Sequence, residues 1–413
     1  MNKKIAIIGG IRTPFVRAGA EFRNLTLKDL GAAVVKGTIE RLNLDPAKID
    51  ELIMGTVLLD PRIPNWSREI LFAAGLPKTV YAYAVSNNCI SGLVAIAAGF
   101  DRLGSGRANL ILAGGTESMS NPAVLFSPQA SSIFLNLART KTLGQKLSQV
   151  LKLRPKHFAP HPPGITEPST GLTMGQHMEL TAQKLAIARQ IQDEIALRSH
   201  QNAARAWAEG IHQHLTMTVQ GVTSDTIVRK DTSLEKLAKL QPVFDRKGSG
   251  TLTAGNSSAL TDGASCVALA SAEAASKLNQ DVLAWISDYE FSAIDASDGL
   301  LMAPAVAVPR LLSRHNLKLE DFDLIEIHEA FGAQVAANVW AWENGWKEPA
   351  CGKIDWQKVN TLGGSIALGH PFAATGGRIA VALAHELKRK NLKRGLISIC
   401  AAGAMAGAMI LER

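Results

Sequence analysis

Two residues near the C-terminus carry the side chains best suited to chemistry in this chain. His370 stands between Gly369 and Pro371, a setting that presets an imidazole rather than leaving it on a random surface. Cys400 closes a short apolar run and is followed by Gly and Ala, so its thiol is expected at the end of a buried strand. A second thiol, Cys89, has a similar setting in the N-terminal half. Two thiols and an imidazole together indicate acyl transfer through a thioester.

Cys89 lies in the segment Ser86-Asn87-Asn88-Cys89-Ile90-Ser91-Gly92, directly before a helix predicted over Ser91–Leu103. Free cysteines are usually small buried hydrophobes, but the polar residues before this one and the helix after it favour a nucleophile. A helix N-terminus stabilises negative charge, so the sequence predicts a lowered thiol pKa. A lone histidine is also more often structural, whereas the small residues on both sides of His370 clear space for a ligand.

A third candidate follows an apolar strand predicted over Leu324–Ile327 and begins the run His328-Glu329-Ala330-Phe331. Both polar side chains are expected to project towards the cleft edge that carries Cys400. No metal is predicted, because HExxH is absent and the four cysteines include no CxxC pair. Donation of a hydrogen bond is the more economical role for His328.

The segment from Gly250 to Gly263 is rich in small and hydroxyl residues. It lacks GxxxxGK[ST], so it is not a phosphate-binding P-loop. It is either a tight loop or a place where a ligand approaches the backbone closely.

The elements around these residues alternate between strand and helix, which indicates a largely parallel α/β sheet. In the N-terminal half the apolar patterns predict strands near Ile5–Ile8, Glu51–Leu58 and Asn109–Ala113, and helices near Leu27–Leu42 and Ser91–Leu103. The C-terminal half repeats this order, because Pro46–Ile53 has a partner in Leu319–Glu326 and Asn109–Ala113 has one in Leu396–Ile399. We infer two similar halves, each with a reactive residue at the start of a helix.

Between the halves lies a segment of different composition, residues 120–249, with few strand signals and a cluster of prolines. Two long helices are predicted in it, near Ile133–Leu153 and Glu179–Glu209. The first is amphipathic and basic, since lysines alternate with leucines along it. It is either a solvated helix on a domain face or, through residues 133–156, a peripheral contact with a membrane surface or a partner subunit.

The composition excludes several classes of protein. The 413 residues are 46% hydrophobic, enough for a large core in two or three domains. The net charge of +8 favours anionic partners, but aromatic residues are only 5% and no zinc finger occurs, so no nucleic acid is expected. Four cysteines fit a reducing compartment and predict a cytoplasmic protein. The apolar run Ile5–Ile8 is too short for a signal peptide, and no stretch reaches the roughly 20 residues of a membrane span.

A set of ordered motifs resembles the thiolase family along nearly the whole chain. They are the polar setting of Cys89, Gly114-Gly115-Thr116-Glu117-Ser118-Met119, Ala254-Gly255-Asn256-Ser257-Ser258, His328-Glu329-Ala330-Phe331, Gly369-His370-Pro371 and Cys400-Ala401-Ala402-Gly403. Within the family the chain is most similar to the β-subunit of the trifunctional fatty-acid β-oxidation complex and its bacterial counterpart. His328 stands where many thiolases have Asn, and the segments 140–148 and 193–200 also match that subgroup.

The resemblance implies a five-layered αβαβα fold made of two similar halves with a helical loop domain. The expected bounds are residues 1–119, completed by 250–279, for the N-terminal half, 120–249 for the loop domain and 280–413 for the C-terminal half. It also implies a homodimer or a higher homo-oligomer, with a hydratase–dehydrogenase α-subunit as a candidate partner. Coenzyme A enters as a substrate, and no cofactor is expected to be bound permanently.

The implied activity is the reversible cleavage of 3-oxoacyl-CoA by CoA, as in fatty-acid β-oxidation. Carried over by motif, Cys89 attacks the 3-keto carbon with His370 as its base, and Cys400 protonates the departing enolate. The enolate oxygen would be held by His370 and His328. The oxyanion of the tetrahedral intermediate would be held by the backbone N–H groups of Cys89 and Ala402.

Two further residues match binding positions of the family: Ser258 the serine near the pantetheine arm, and Met174 the methionine that lines the acyl pocket. The chain departs from the family at four alanines where glycine is usual, Ala259, Ala373, Ala404 and Ala406. Alanine resists a positive φ, which leaves the loop shape beside Cys400 open.

Two alternative functions remain open at this point. One is an acetyl-CoA C-acetyltransferase that makes acetoacetyl-CoA, which the long middle segment disfavours. The other is a degenerate thiolase that binds acyl-CoA without turnover, which the four alanines suggest. A ketoacyl synthase is disfavoured, because such sites use two histidines with one cysteine and Cys400 would be superfluous.

Overall fold

A computed structural model describes residues 4–160, 164 and 166–413 of the chain. The chain divides into two compact units. The first comprises Met1–Val57, Asn65–Asn121 and Thr166–Arg413, and the second comprises Leu58–Pro64 and Pro122–Ile165. All of the candidate site residues belong to the first unit. The division of the chain into two halves and a loop domain, with bounds at 119, 249 and 279, remains a prediction.

The strands of the described residues all belong to the first unit. They are β1 Ile5–Arg12, β2 Val16–Arg17, β3 Glu51–Gly55, β4 Tyr81–Val85, β5 Leu110–Glu117, β6 Thr261–Ser271, β7 Ala284–Ala293, β8 Leu324–Ile327, β9 Arg394–Ala401 and β10 Met405–Glu412. The three strands predicted in the N-terminal half are present with slightly different ends. Their residues are buried almost throughout, as the apolar runs predict.

The strands lie in the order β4-β3-β5-β6-β1-β7-β10-β9-β8, with β2 paired to β6. The prediction of a largely parallel sheet is wrong, because only the pairs β3–β4, β3–β5 and β8–β9 are parallel. Two returning strands cause the difference: β6 runs antiparallel between β5 and β1, and β10 runs antiparallel between β9 and β7. The duplication is confirmed, since β3, β5, β6 and β1 are arranged as β8, β9, β10 and β7 are.

The helices complete the repeat. They are α1 Leu27–Arg41, α2 Trp66–Ala73, α3 Ser91–Gly104, α4 Pro128–Arg139, α5 Leu143–Val150, α6 Met174–Lys184, α7 Arg189–Ala208, α8 Ile211–Leu215, α9 Leu234–Ala238, α10 Ala272–Lys277, α11 Pro304–Arg314, α12 Gly332–Asn344, α13 Ser365–Leu368 and α14 Ala374–Arg389. No helix in the described part of the chain has the length and apolar character needed to cross a membrane.

Three hydrophobic cores separate the layers of the first unit. The side chains of α1 and α2 pack on the outer face of the N-terminal strands, and those of α11 and α12 pack on the outer face of the C-terminal strands. The third core lies between the two sets of strands and contains α3 and α14. The order is therefore helix, strand, helix, strand, helix, which is the predicted αβαβα arrangement. Each buried Leu or Ile contributes roughly 1.5–3 kcal/mol to folding.

The two central helices approach each other closely because their first turns contain glycine. A Cβ on Gly92 of α3 would lie 2.3 Å from the carbonyl oxygen of Ala373, and one on Gly376 of α14 would lie 2.4 Å from the backbone nitrogen of Leu93. Both distances are far below van der Waals contact, so a larger residue would push the helices apart.

The two long helices predicted in the middle segment are each two helices. The prediction over Ile133–Leu153 is wrong because Thr140 is extended with ψ 138°, which ends α4, and Thr142 caps α5 by accepting the amide of Gln145. The prediction over Glu179–Glu209 is wrong because α6 ends at Lys184, and Ala186 has a left-handed φ of 51°. Threonine caps and a single left-handed residue give weak sequence signals beside a continuous helical periodicity.

Two of the four alanines that stand where thiolases usually have glycine, Ala404 and Ala406, differ in backbone conformation. Ala404 lies in the turn between β9 and β10 with φ 56° and is fully buried. Ala406 lies in β10, where it pairs with Cys400 on one side and Ser292 on the other. A left-handed conformation costs a residue with a Cβ about 1–2 kcal/mol, so only Ala404 is strained.

We expect Ala404→Gly to raise the free energy of unfolding by about 0.5–1 kcal/mol, because the relieved strain exceeds the added entropy of the unfolded chain. The matched control Ala406→Gly is expected to lower it by about 1 kcal/mol, since a strand residue loses its buried methyl group. Urea denaturation of both variants measures the difference. Shifts of the same sign for both would contradict this account.

Candidate active site

Cys89 lies in the turn that joins β4 to α3. The turn is held by Ser91, whose hydroxyl accepts the amide of Asn87 at 2.7 Å and donates to the carbonyl of Asn88 at 2.7 Å. Asn88 has a left-handed φ of 48°, and its side-chain amide donates to the carbonyl of Ala402 at 3.0 Å. Cys89, a partly exposed residue, is thereby placed against the loop that follows Cys400.

Both histidines come from the C-terminal half. His328 follows β8 directly, and its amide donates to the carbonyl of Ser398 in β9 at 2.8 Å. His370 precedes α14, and Gly369 before it has φ 105°, a conformation that needs glycine. Residues at strand and helix ends from one half therefore meet the turn of Cys89 from the other half.

The structure brings Cys89, His328 and His370 together. The sulfur of Cys89 and one ring nitrogen of each histidine all lie within 4.8 Å of one another. The two imidazole rings are tilted by 41° with centroids 4.1 Å apart. Cys400 is buried in β9 close enough for a charge on Cys89 to raise the pKa of its thiol, after the larger effect of burial. Three of the four predicted catalytic side chains thus form one cluster, and Cys400 lies near Cys89.

The two backbone N–H groups predicted to stabilise the oxyanion both point to the sulfur of Cys89. The backbone N–H groups of Ala402 and of Cys89 itself both hydrogen-bond to the sulfur of Cys89 and lower its pKa, against the larger effect of burial. The loop of Ala402 is fixed on both sides, by Asn88 and by the amide of Gly403, which donates to Glu167 at 2.9 Å.

Each histidine is oriented through its Nδ1 atom. His370 Nδ1 lies 2.7 Å from the hydroxyl of Thr375, and His328 Nδ1 lies 2.8 Å from the hydroxyl of Ser365. The buried guanidinium of Arg378 donates to the same Ser365 oxygen at 2.9 Å. This positive charge favours donation of the Ser365 proton to His328, which leaves the proton of that ring on Nε2. Among the residues that the structure describes, the buried Nε2 atoms of both rings have no hydrogen-bond partner.

The site is uncharged at neutral pH. Burial raises the pKa of the Cys89 thiol to about 12, and burial, followed by the charge of Arg378, lowers the pKa of His370 to about 3. Burial, then His370 and Arg378, holds the pKa of His328 well below its usual value. The predicted lowering of the Cys89 pKa by the helix start is therefore wrong, because loss of water outweighs the two backbone N–H groups.

Matches to known proteins agree with this arrangement. The family model described as "Thiolase, N-terminal domain" matches residues 5–273, and "Thiolase, C-terminal domain" matches residues 280–413. The chain belongs to the thiolase family. It is 40% identical over 422 residues to the 3-ketoacyl-CoA thiolase of Pseudoalteromonas translucida (strain TAC 125), covering 99% of this chain and 97% of the relative. The 3-ketoacyl-CoA thiolase of Aliivibrio fischeri (strain MJ11) is also 40% identical, with 99% and 95% covered.

Solved structures show the same thiolase fold. The acetyl-CoA acetyltransferase of Bacillus anthracis superposes with a TM-score of 0.86 at 30% identity, covering 100% of both chains. The Acat5 thiolase of Ascaris suum in complex with coenzyme A gives a TM-score of 0.85 at 30% identity over the same coverage.

Ser258 and Met174, the two residues predicted to bind substrate, both lie near the segment that follows His328. The amide of Ser258 donates to the carbonyl of Ala330 at 2.9 Å, two residues beyond His328. Met174 is the first residue of α6 and packs, partly buried, against the C-terminal core that includes Phe331. Their roles as pantetheine and acyl contacts of this thiolase remain predictions.

Glu329 does not join the cluster, so the prediction that it projects there with His328 is wrong. Its carboxylate accepts the hydroxyl of Ser199 at 2.6 Å, the side chain of Asn360 at 2.6 Å and the amide of Ile366 at 3.2 Å. Glu329 therefore fixes the backbone that precedes His370 through the amide of Ile366. Neighbouring residues at a strand end point to opposite sides. This alternation is the sequence signal that could have separated Glu329 from His328.

Sequence reasoning missed Ser365, Thr375 and Arg378. Thr375 and Arg378 follow His370 on the first turns of α14, and Ser365 stands in the glycine-rich stretch before it. Polar side chains on the first two turns of the helix that follows a candidate base are the signal that could have found Thr375 and Arg378.

We predict that alkylation of Cys89 by iodoacetamide in the free enzyme accelerates close to tenfold per pH unit between about pH 6 and pH 9, without a plateau. The raised pKa means that the thiolate is a small fraction throughout this range and grows as pH rises. Peptide mass spectrometry of Cys89 at timed intervals measures the rate.

The fully buried Cys266, whose pKa burial also raises to about 12, is the matched control and should stay unmodified in the folded protein. A plateau in the Cys89 rate between pH 6 and pH 8 would show a thiolate–imidazolium pair and contradict the neutral site.

Proposed function

We propose that this thiolase cleaves 3-oxoacyl-CoA with CoA, giving a shortened acyl-CoA and acetyl-CoA. The observation that carries the proposal is the cluster of the Cys89 sulfur and two neutral, unpartnered imidazole nitrogens within 4.8 Å, with a second thiol on the adjoining strand. The relatives named 3-ketoacyl-CoA thiolase support this reaction, and the thiolase solved with coenzyme A supports CoA as the co-substrate.

In the first half-reaction the sulfur of Cys89 attacks the 3-keto carbon while His370 Nε2 takes the thiol proton. A neutral imidazole is the form that can accept this proton, and its low pKa in the free site keeps it neutral. The carbon–carbon bond then breaks, the acyl group stays on Cys89, and Cys400 gives its proton to the carbon of the departing enolate. The products of this step are an acyl-thioester enzyme and acetyl-CoA.

In the second half-reaction free CoA takes the acyl group. The thiolate left on Cys400 accepts the proton of the CoA thiol, the CoA sulfur attacks the thioester carbonyl, and His370 returns its proton to the Cys89 sulfur. Protons and bonds therefore balance without any permanently bound cofactor.

The enolate oxygen and the oxyanions of the tetrahedral intermediates are stabilised by different hydrogen-bond donors. His328 Nε2–H, fixed by Ser365 and Arg378, and protonated His370 hold the enolate oxygen. The backbone N–H groups of Cys89 and Ala402 hold the oxyanion of each tetrahedral intermediate, and such a donor contributes roughly 3–4 kcal/mol to a transition state.

Binding of the rest of the substrate is proposed from the predicted positions. Ser258 contacts the pantetheine arm, Met174 lines the acyl pocket, and the net charge of +8 attracts the CoA phosphates. Residues 120–249 form the loop domain between the halves 1–119, completed by 250–279, and 280–413. A homo-oligomer and a cytoplasmic location stay predictions.

We expect the purified protein to consume 3-oxoacyl-CoA only when CoA is present, and Cys89→Ala to lower the rate by on the order of 10³-fold or more, because the covalent intermediate cannot form. The control Cys351→Ala removes a buried thiol of the C-terminal core and should keep the rate. Chromatography of the CoA products measures both variants.

A panel from acetoacetyl-CoA to long-chain 3-oxoacyl-CoA separates the alternatives in the same assay. Activity on acetoacetyl-CoA alone would favour an acetyl-CoA C-acetyltransferase. Binding of every chain length with no cleavage would favour a degenerate thiolase. Full activity of Cys89→Ala would end the proposed mechanism.

We also propose that the second unit makes a peripheral contact with an anionic lipid surface. Its helix α5 and the C-cap residue that follows it expose Leu143, Leu147 and Leu151 at 86%, 60% and 75%, spaced by four residues along one face. Lys146 on α5 is also exposed, as are Lys141 before it and Lys152 after it. An apolar face bordered by lysines is typical of helices that lie in a membrane interface.

Reversal of these charges in K141E/K146E/K152E is expected to abolish co-flotation with vesicles rich in phosphatidylglycerol, because the attraction to anionic headgroups is lost. The control K36E/K236E/K277E changes the same charge on exposed lysines of the first unit and should float as the parent does. Equal flotation of both variants would end the proposal. Loss of co-purifying hydratase–dehydrogenase without any lipid binding would point to the partner subunit instead.

A further inference from the structure

The catalytic cluster contains the donor set of a soft metal site. Cys89 supplies a thiol, and His328 and His370 supply imidazoles whose Nδ1 atoms are already bonded to Ser365 and Thr375. The atoms left over are the two Nε2 nitrogens, both buried and without a partner among the described residues. His328 is 0% and His370 4% exposed, and one ring nitrogen of each lies within 4.8 Å of the Cys89 sulfur.

The spacing of the donors is close to that of a tetrahedral zinc site. Zinc bonds of about 2.0–2.3 Å to nitrogen and sulfur place two ligand atoms roughly 3.3–3.6 Å apart. The sulfur and one nitrogen of each ring already lie within 4.8 Å of one another. Side-chain movements of about 1 Å therefore complete the site without a change of backbone.

The surroundings also match those of zinc sites. A histidine that binds zinc through one nitrogen has its other nitrogen hydrogen-bonded, which fixes the ring, and Ser365 and Thr375 do this here. Cys89 is a partly exposed residue whereas both histidines are buried, so we expect the ion to enter from the Cys89 side and to keep a water as its fourth ligand.

From these observations we propose that Cys89, His328 and His370 bind one Zn²⁺ ion that blocks the active site. On binding, the S–H bond of Cys89 breaks, a Zn–S bond forms, and one proton leaves to the buffer. The proton on His328 Nε2 moves to Nδ1, which then donates to the hydroxyl oxygen of Ser365, so that Nε2 is free to bind the ion. The bound ion makes the Cys89 sulfur and both Nε2 atoms unavailable for catalysis. The zinc form is an inhibited state that a chelator reverses, and the proposed acyl transfer itself needs no metal.

His328 is the residue on which the site depends. An asparagine there would offer an amide oxygen and nitrogen of poor affinity for Zn²⁺ in place of an imidazole. The pair left behind, one thiol and one imidazole, would hold the ion far more weakly. His328→Asn is therefore the informative variant, since it removes one ligand with a side chain of similar polarity and smaller volume.

The test measures binding directly and uses no substrate. The full chain, freed of any affinity tag and stripped of metal with a chelator, is titrated with Zn²⁺ against a chromogenic chelator and, separately, with Co²⁺ as a spectroscopic probe. We expect one ion per chain, a thiolate-to-cobalt charge-transfer band, and protection of Cys89 from iodoacetamide by Zn²⁺.

Three variants make the assignment. Cys89→Ser should lose the charge-transfer band, and His328→Asn should weaken Zn²⁺ binding at least tenfold. Cys351→Ser, a buried thiol of the C-terminal core, should keep both the band and the affinity. Far-ultraviolet circular dichroism of each variant shows whether it is folded.

A band that persists in folded Cys89→Ser, or an unchanged affinity in folded His328→Asn, would overturn the proposal. So would a parent protein that binds no Zn²⁺ at micromolar free ion and shows no protection of Cys89. None of these outcomes bears on thiolysis, because no step of the test depends on turnover.

Discussion

The close approach of α3 and α14 is the contact on which the active site depends. Each helix begins just after a candidate catalytic residue, Cys89 in one half and His370 in the other. The distance between the helices therefore sets the distance between the thiol of Cys89 and the imidazole of His370. Gly92 and Gly376 allow the contact, because a Cβ on either would lie within 2.4 Å of backbone atoms of the other helix region. The remaining layers cover this pair of helices. Strands β8 and β9 place His328 and Cys400 at the same end of the pair.

Burial of the meeting point then decides its chemistry. Removing water from two imidazoles and a thiol keeps all three uncharged, and the buried charge of Arg378 keeps the imidazoles from taking a proton in the free enzyme. In the proposed reaction the base stays neutral and the nucleophile stays protonated until a substrate oxygen takes up negative charge. The N–H groups of His328, Cys89 and Ala402 then stabilise that charge. The cluster resembles a zinc site because a thiol and two buried imidazoles lie within 4.8 Å of one another, with a change of tautomer needed at His328 alone.

The two loops that border the cluster are both built on left-handed residues other than glycine. Asn88 has φ 48° and Ala404 has φ 56°. Asparagine tolerates this conformation, and here its side chain is anchored to the carbonyl of Ala402 in the other half. Ala404 has no such compensation, so the turn after Cys400 holds strain that the surrounding strands must contain.

The sequence by itself determined the duplication of the halves and the family, and it supplied the candidate residues of the active site. Cys89, His328, His370 and Cys400 could be predicted because small residues, prolines and strand ends around them are local signals. It did not determine the charge state of Cys89, the helix breaks near Thr140 and Ala186, the antiparallel course of β6 and β10, or the separation of Glu329 from His328. Those depend on burial and on partners distant in the chain, such as Arg378 for His328 and Ser199 for Glu329. Desolvation and hydrogen bonds between the halves exist only once the halves have packed together, and only the tertiary structure decided them.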